Sequence, residues 1–235
     1  MTGDMTKGIG APKESGSPWL QAVAAVALVA ALCAGAWASG ALSDSSGVAK
    51  PATCSDGEPT TAAGKAHVSG AQLCEALNRP DLAELLGTPG QIAKTASGSD
   101  SSMGLLGGKD IPTPSAQVKF ETYTVTLAGT FDGLPVAGSA SLLGRGAQQR
   151  TVLGRPAVLY SDQTISIRFR LDGGDAQTGP GVPARVVSVA QNAKDSGGSF
   201  EVTLWRSDGL IPDDAVLLRV AEKLLPTVPG WTANG

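Results

Sequence analysis

Histidine is nearly absent from the chain, and cysteine and aromatic residues are scarce. The 235 residues include 1 histidine, 3 cysteines and 4% aromatic residues. Zinc sites and nucleophilic triads depend on histidine or cysteine as ligand or base. Because His67 is the single histidine, metal sites built on pairs of histidines are excluded. A Ser-His-Asp triad or a Cys-His dyad would have no histidine base in the predicted core. We expect no metal site and no cofactor.

Charge of one sign is also lacking, because 18 lysines and arginines stand against 21 aspartates and glutamates. A net charge of −3 gives no bulk attraction to nucleic acid or anionic lipid. A Gly-x-Ser-x-Gly elbow does not occur, and the Gly-rich stretch before Lys109 has Met103 where a phosphate-binding loop needs glycine. We therefore predict that the protein is not an enzyme.

One catalytic alternative stays open, which is a carboxylate-dependent envelope hydrolase. Paired carboxylates can serve as general acid and base. The candidate pairs are Asp172 with Asp175 and Asp213 with Asp214. Turn formation explains the first pair and helix capping explains the second, and the sequence favours these structural roles.

What the chain does have is one long apolar run, Trp19 to Leu42, in which no residue is charged. As a helix it would extend about 36 Å, enough to cross a hydrocarbon core of roughly 30 Å. Trp19 and Trp37 lie near its two ends, where indole rings prefer the membrane interface. The run therefore predicts a single transmembrane helix at residues 19–42.

A cleaved signal peptide is the alternative interpretation, because Ala36-Trp37-Ala38 would suit cleavage. The run is longer than a signal core, so we favour an uncleaved anchor. A slight excess of lysine before the span favours a cytoplasmic N-terminus. The predicted organisation is a disordered cytoplasmic tail at 1–18, the span at 19–42, a flexible stalk at 43–68 and an extracytoplasmic domain at 69–235.

Cys54 and Cys74 are the only cysteines outside the predicted span. Two cysteines without metal-ligand spacing favour a disulfide in an oxidising compartment. The alternative is a pair of buried free thiols in a cytosolic domain. A disulfide agrees with a cell-membrane protein whose C-terminal domain is extracytoplasmic.

Hydrophobic periodicity predicts an α+β domain, with one antiparallel sheet packed by helices on one face. Ser69-Gly70-Ala71-Gln72 has the form of a capping box and predicts a first helix. Residues 116–127 alternate as a strand whose apolar face flips near Glu121, which predicts a bulge or a bend. A return strand is predicted at 134–142. A last helix is predicted to open with Pro212, Asp213 and Asp214.

The clearest hairpin is predicted at residues 155–171, with its turn at Ser161-Asp162-Gln163. Ile165 and Ile167 alternate with polar residues and are predicted to face the core. Pro183 is then predicted to open a helix that continues to Gly197, followed by a strand from Phe200.

Arginines cluster in the same region, and this cluster is the one local concentration of charge that stands out in the sequence. The five are Arg145, Arg150, Arg155, Arg168 and Arg170. Arg168 and Arg170 share a strand face, so their guanidinium groups could present forked donors to a carboxylate or a phosphate. A solvated sheet face is the structural explanation. Our binding hypothesis names Arg155, Arg168 and Arg170.

Four short motifs carry a resemblance to a known group of proteins. They are Leu73-Cys74, Leu85-Leu86-Gly87-Thr88-Pro89, Leu204-Trp205-Arg206 and Pro229-Gly230-Trp231. Across residues 69–231 the chain resembles actinobacterial envelope proteins of unknown function, each an extracytoplasmic α+β domain behind a membrane or lipid anchor. The resemblance implies location and fold, and it transfers no catalytic residue. We expect a single-pass membrane module that binds a partner protein or an anionic envelope ligand.

Overall fold

The structure is a computed structural model that describes residues 50–56, 68–104, 110–143, 146–168 and 176–231. The predicted tail and span, and most of the predicted stalk, lie outside these residues. None of the helices in the described ranges is long and apolar enough to cross a membrane. The transmembrane helix at 19–42 therefore stays a prediction. Residues 50–235 form one compact unit.

Strands dominate the described part of the chain. Its strands are β1 (Cys54–Asp56), β2 (Thr95–Ser99), β3 (Ser102–Gly104), β4 (Asp110–Pro112), β5 (Ser115–Lys119), β6 (Tyr123–Thr130), β7 (Gln148–Val152), β8 (Arg155–Arg168), β9 (Gln177–Ala190) and β10 (Ser199–Arg206). Its helices are α1 (Gly70–Leu77), α2 (Leu82–Leu85), α3 (Val136–Ser139) and α4 (Asp214–Leu224), with a 3-10 turn at Leu225–Thr227.

Eight strands form one sheet in the order β1-β2-β5-β6-β10-β9-β8-β7, and β3 and β4 form a separate hairpin. Neighbouring strands in the large sheet are antiparallel, except for the parallel pair β1 and β2. The prediction of an α+β domain with an antiparallel sheet is thus confirmed at the level of a large antiparallel-rich sheet with few helices.

One face of the sheet, here called the covered face, is packed by α1, α2 and α4. Alternate residues of the central strands point to this face, and helical leucines and valines close over them. The fully buried members include Leu73, Leu77, Leu127, Leu159, Val187, Val202, Leu204, Leu217, Val220 and Leu224. The other face, here called the open face, carries the short helix α3. Val136 of α3 packs on Val158 and Ala190, which alternate with covered-face residues. The prediction that all helices pack on one face is therefore wrong for α3.

Helix α1 docks on the sheet through backbone contact rather than through side chains alone. The predicted capping box is present, with Ser69 accepting from the Gln72 N–H and Gln72 accepting from the Ser69 N–H. A Cβ on Gly70 would lie 2.4 Å from the backbone of Ser99, and one on Gly98 would lie 2.3 Å from the Gly70 carbonyl oxygen. Glycine at both positions lets the helix start pack directly against β2.

The disulfide between Cys54 and Cys74 is confirmed, with a Cα–Cα distance of 6.0 Å and a sequence separation of 20 residues. It joins the edge strand β1 to helix α1. Closing a loop of this size stabilises the fold by about 3 kcal/mol in the chain-entropy model. The short strand β1 is thereby held beside β2.

Two predicted features between residues 116 and 142 differ in the structure. The flip of the apolar face near Glu121 is the tight turn of the β5–β6 hairpin, closed by the Phe120 N–H to the Tyr123 carbonyl. A turn between two strands changes the phase of alternation as a bulge does, so the pattern alone did not distinguish them. The return strand predicted at 134–142 is replaced by the helical turn α3, whose first N–H groups bind the Asp195 carboxylate.

The predicted turn at Ser161-Asp162-Gln163 is wrong, because β8 runs without interruption through it. The irregularity lies on the neighbouring strand instead. Gln163 pairs with Pro183 and Ile165 pairs with Pro180, so Thr164 alone faces Gly181 and Val182. This β-bulge bends the ribbon formed by the two strands, since an extra residue on one strand increases the local twist.

The helix predicted from Pro183 is also wrong, because this segment is strand β9. Residues 184–187 are all buried, as are Val189 and Ala190. A central strand that is buried on both faces loses the alternation of an exposed strand, and its apolar run then fits helical spacing as well. β-branched valines at 186, 187 and 189 are the strand signal.

Candidate functional site

The open face of the sheet carries polar side chains where the covered face carries leucine and valine. Strand β10 shows the division, since Glu201, Thr203 and Trp205 alternate with the buried Phe200, Val202 and Leu204. Strands β6 and β8 add Thr124, Thr126, Tyr160 and Asp162 to the same face by their register with β9 and β10. The central open face is thus more polar than the covered face, which is mostly apolar.

Tyr160 and Glu201 form a half-buried polar pair on this face. The Tyr160 hydroxyl donates to Glu201 Oε2 at 2.7 Å, although the two residues lie on β8 and β10 with β9 between them. The Thr203 hydroxyl donates to Glu201 Oε1 at 3.5 Å. The phenol ring therefore crosses the middle strand, and the carboxylate has a donor at each oxygen.

Burial raises the pKa of Glu201 above its ordinary value, because the charged carboxylate loses hydration beside the tyrosine ring. The hydrogen bond from Tyr160 opposes this effect, and the negative charge of Asp162 adds to it. Burial also raises the pKa of Tyr160, with the charge of Glu201 as the next cause, so the phenol stays protonated and remains the donor. A carboxyl with a raised pKa at an open surface can exchange a proton or accept a hydrogen bond from a ligand.

Next to this pair is a shallow concavity of about 340 Å³. Its walls include Thr126, Asp162, Ile165, Ala184, Thr203 and Trp205. The prediction that Ile165 and Ile167 face the core is wrong, because these side chains are 79% and 55% exposed. The concavity is lined by apolar side chains together with hydroxyl and carboxylate groups, which is the composition of a small recognition site.

The structure separates the arginines of the binding hypothesis. Arg155 is 4% exposed, its guanidinium lies 3.4 Å from the Trp231 ring centre, and it donates to the Gln191 carbonyl. It thus fixes the C-terminal segment to β8. Arg168 is the last residue of β8, and Arg170 lies outside the described residues. Anion binding by Arg168 and Arg170 stays a prediction.

The predicted carboxylate pairs are not assembled into a cleft by the described residues. The Asp213 side chain accepts from the Ala215 N–H at 2.8 Å and caps α4. Asp214 accepts two hydrogen bonds from Arg185, whose guanidinium also donates to the Ser161 hydroxyl. Asp172 and Asp175 lie outside the described residues. Within the described ranges, no three His, Cys, Asp or Glu side chains are grouped closely enough to hold a metal ion.

Sequence reasoning missed the Tyr160–Glu201 pair. The alternation of residues 200–205 did indicate that Glu201 and Trp205 share a face. Tyr160 was predicted to end a strand before a turn, so its reach across β9 could not be inferred. Only the pairing of β8 with β9, which replaces the predicted helix, brings the two residues together.

Comparison with known proteins gives one family. The profile of a family of unknown function, DUF6215, matches residues 13–146, which is more than half of the chain. No curated protein sequence and no solved structure matches the chain. The match reaches from before the predicted span to the segment preceding β7, so β8, β10 and most of the open-face site lie beyond it. The chain belongs to the family of unknown function DUF6215.

Proposed function

We propose that the protein is a single-pass membrane module whose extracytoplasmic domain binds a partner protein or an envelope ligand at the open face. The apolar run at 19–42 supports the anchor, with the N-terminus in the cytoplasm. The Cys54–Cys74 disulfide supports an oxidising compartment for the domain. Both features favour the same orientation across the cell membrane.

The observation that carries the binding role is the concavity beside Trp205. An exposed isoleucine and a half-buried tryptophan border it, with Asp162 at the rim. Aromatic side chains in shallow, partly dry depressions supply much of the energy of protein recognition, and polar rims supply register. A binding site needs no nucleophile and no metal, which agrees with the composition of the chain.

Site-specific photocrosslinking of the full chain in its native cell tests this role. A photoreactive amino acid at position 162 should give a discrete adduct, and Trp205→Ala should remove it. The same amino acid at position 222, an exposed site on α4, is the matched control and should give none. An adduct that persists in Trp205→Ala, while the melting temperature is unchanged, would contradict binding at this site.

The anchor has a separate test. Membranes from the native cell should retain the full chain after an alkaline wash, and its N-terminal sequence should include residues before Trp19. Protease added from outside should degrade the domain. A released form that begins near residue 43 would establish the signal-peptide alternative instead.

A carboxylate-dependent envelope hydrolase is the second candidate, and the raised pKa of Glu201 favours it. Glu201 and Asp162 lie on the same sheet face, and a carboxyl with a raised pKa near a second carboxylate is an arrangement that suits a general acid. Glu201→Gln separates the two functions. The module should form the position-162 adduct unchanged, whereas a hydrolase should lose turnover and accumulate bound substrate.

A further inference from the structure

Strand β8 has an unpaired edge that extends well beyond its neighbour. Strand β7 pairs with β8 only from Arg155 to Leu159. Beyond that point β8 continues to Arg168, and within the described residues its only partner there is β9. Alternate residues between 160 and 168 therefore turn their backbone N–H and C=O groups to the side away from β9, where the Gln163 N–H donates to the Asp162 side chain. A row of such groups is a template for one more strand.

The two edges of the β8–β9 ribbon are not equivalent. Beyond its pairing with β10, strand β9 also continues unpaired on its outer side, but Pro180 and Pro183 lie in that stretch. Proline lacks the N–H that a strand partner needs and is a common device for blocking sheet edges. Between Tyr160 and Arg168, β8 contains no proline. Pairing is thus directed to the β8 edge.

The side chains of the β8 edge are self-complementary. Ile165 and Ile167 are 79% and 55% exposed, and they point to the same side because they are two residues apart. In an antiparallel pair of two β8 strands centred on Ser166, each Ile165 would lie opposite Ile167 of the other copy. No charged residue falls between Gln163 and Ile167, so like charges do not oppose this pairing.

We infer that the protein forms a two-fold dimer in which the β8 edges of two copies pair antiparallel about Ser166. The pairing joins two β8–β9 ribbons into one four-stranded antiparallel layer and buries the four exposed isoleucines against one another. The blocked β9 edges stop further addition, which gives a closed dimer rather than a filament.

The pairing shares Ile165 with the concavity of the open-face binding role, whereas Trp205 takes no part in the pairing. Ile167 belongs to the ribbon alone, whereas Ile165 also borders the concavity. Ile167→Lys therefore tests the dimer, and Trp205→Ala tests the binding role. If one of these two proposals fails its test, the other is still tested by its own variant.

Disulfide crosslinking of the full chain in its native membrane tests the dimer. In a Cys33→Ala background, Ser166→Cys places a thiol on the two-fold axis. Directly opposed residues of antiparallel strands have Cα atoms about 4.5–5.5 Å apart, within the range that a disulfide spans. Mild oxidation should convert most of the chain to a covalent dimer.

Two controls define the register and the edge. Gln163→Cys lies on the same edge, but its thiols would be roughly 20 Å apart in this register and should stay uncrosslinked. Thr178→Cys lies on β9 opposite Ile167 and should also stay monomeric. Adding Ile167→Lys to Ser166→Cys should abolish the dimer, whereas Ile211→Lys, at another exposed isoleucine, should not.

The dimer is overturned if Ser166→Cys crosslinks no more than Gln163→Cys or Thr178→Cys. It is equally overturned if Ser166→Cys crosslinks to a different protein, since the edge would then serve a heterologous strand. Loss of the intramolecular Cys54–Cys74 bond would reveal a misfolded variant, so that bond is measured in the same gel.

Discussion

The two faces of the central sheet come from the same strands but differ in how their side chains are satisfied. On the covered face, Leu127, Val202 and Val187 lie side by side at 0% exposure and meet helices α1 and α4. On the open face, the neighbouring positions hold Glu201 and Thr203, which meet one another and Tyr160 by hydrogen bonds. Helices cover the first face through apolar packing, whereas the polar side chains of the open face are satisfied by a small hydrogen-bond network.

This difference separates stability from recognition. Apolar burial contributes about 25 cal/mol per Å² and depends on close packing, so changes on the covered face should be costly to folding. Hydrogen bonds at a half-exposed surface contribute far less net free energy, because water competes for the same groups. Changes on the open face should therefore alter pH response or binding while the fold persists. Four variants test this contrast.

The largest effect is expected from Gly98→Ala, beneath the start of α1. The new Cβ would lie 2.3 Å from the Gly70 carbonyl oxygen and 2.9 Å from the Ala71 nitrogen, and backbone atoms cannot rotate away. We expect the free energy of unfolding to fall by about 3 kcal/mol or more, measured by urea denaturation.

Gly146→Ala is the matched control, because nothing lies within 4 Å of its ideal Cβ position. That variant should change the free energy of unfolding by less than about 0.5 kcal/mol. Equal stabilities for the two alanine variants would mean that α1 does not rest on β2 through its backbone.

The second effect concerns Arg185, a polar residue that the covered face does bury. It is 8% exposed, and its guanidinium donates to Asp214 at 2.5 and 2.8 Å and also to Ser161. Arg185→Met fills the volume of the aliphatic stem but removes the anchor of the α4 N-terminus. We expect a loss of about 2 kcal/mol in the free energy of unfolding, moderated because Asp214 can still hydrate.

Arg206→Met provides the comparison. Arg206, the last residue of β10, donates two hydrogen bonds to Asp208 in the following turn, but that carboxylate is exposed, so surface screening applies. We expect its loss to cost less than about 1 kcal/mol in thermal or urea unfolding. A smaller cost for Arg185→Met than for Arg206→Met would refute the anchoring role of the buried arginine.

Elements with their own terminal signals were predictable from the sequence. The capping box at Ser69 and Gln72 and the acidic start of α4 at Asp213 are local hydrogen-bonding patterns, and both are present. The disulfide also followed from cysteine number. The centre of the sheet was not predictable in this way, because β9 is buried on both faces and carries no alternation.

Only some residues of the candidate site could be predicted from the sequence, because the others depend on strand pairing. Glu201 and Trp205 could be assigned to one face of a strand by alternation alone. Their companions Tyr160 and Asp162 depend on the pairing of β8 with β9, and on a strand that continues through Ser161-Asp162-Gln163. Nonlocal pairing, and not residue type, decides which polar side chains meet.

The smallest effect on folding, and the most specific, is expected from Glu201→Gln on the open face. Burial raises the pKa of Glu201 in the folded protein above its ordinary value of 4.5. In the pH range between those two values the folded state holds a proton that the unfolded state has released. By linkage, this group makes the fold less stable as pH rises through that range. Glu201→Gln cannot titrate and should remove this part of the pH dependence.

The measurement is the urea midpoint of wild type and variant from about pH 4 to about pH 8. The difference between them should grow in favour of the variant as pH rises above about 4.5, and should then level off. Asp208→Asn is the control, because Arg206 lowers the pKa of Asp208 to about 2. Its stabilising effect is fully present above the ordinary aspartate value and is lost only at lower pH, so this variant should show no slope in the same range.

Tyr160→Phe sharpens the same test, because it removes the hydrogen bond that opposes the effect of burial on Glu201. The pKa of Glu201 should then rise further, and the falling part of the stability curve should extend to higher pH. Direct titration of the Glu201 carboxyl carbon by NMR should show the same upward shift. A Glu201 that titrates at its ordinary value in wild type would mean that water reaches this carboxylate freely, and the contrast between a dry covered face and a partly dry open face would then disappear.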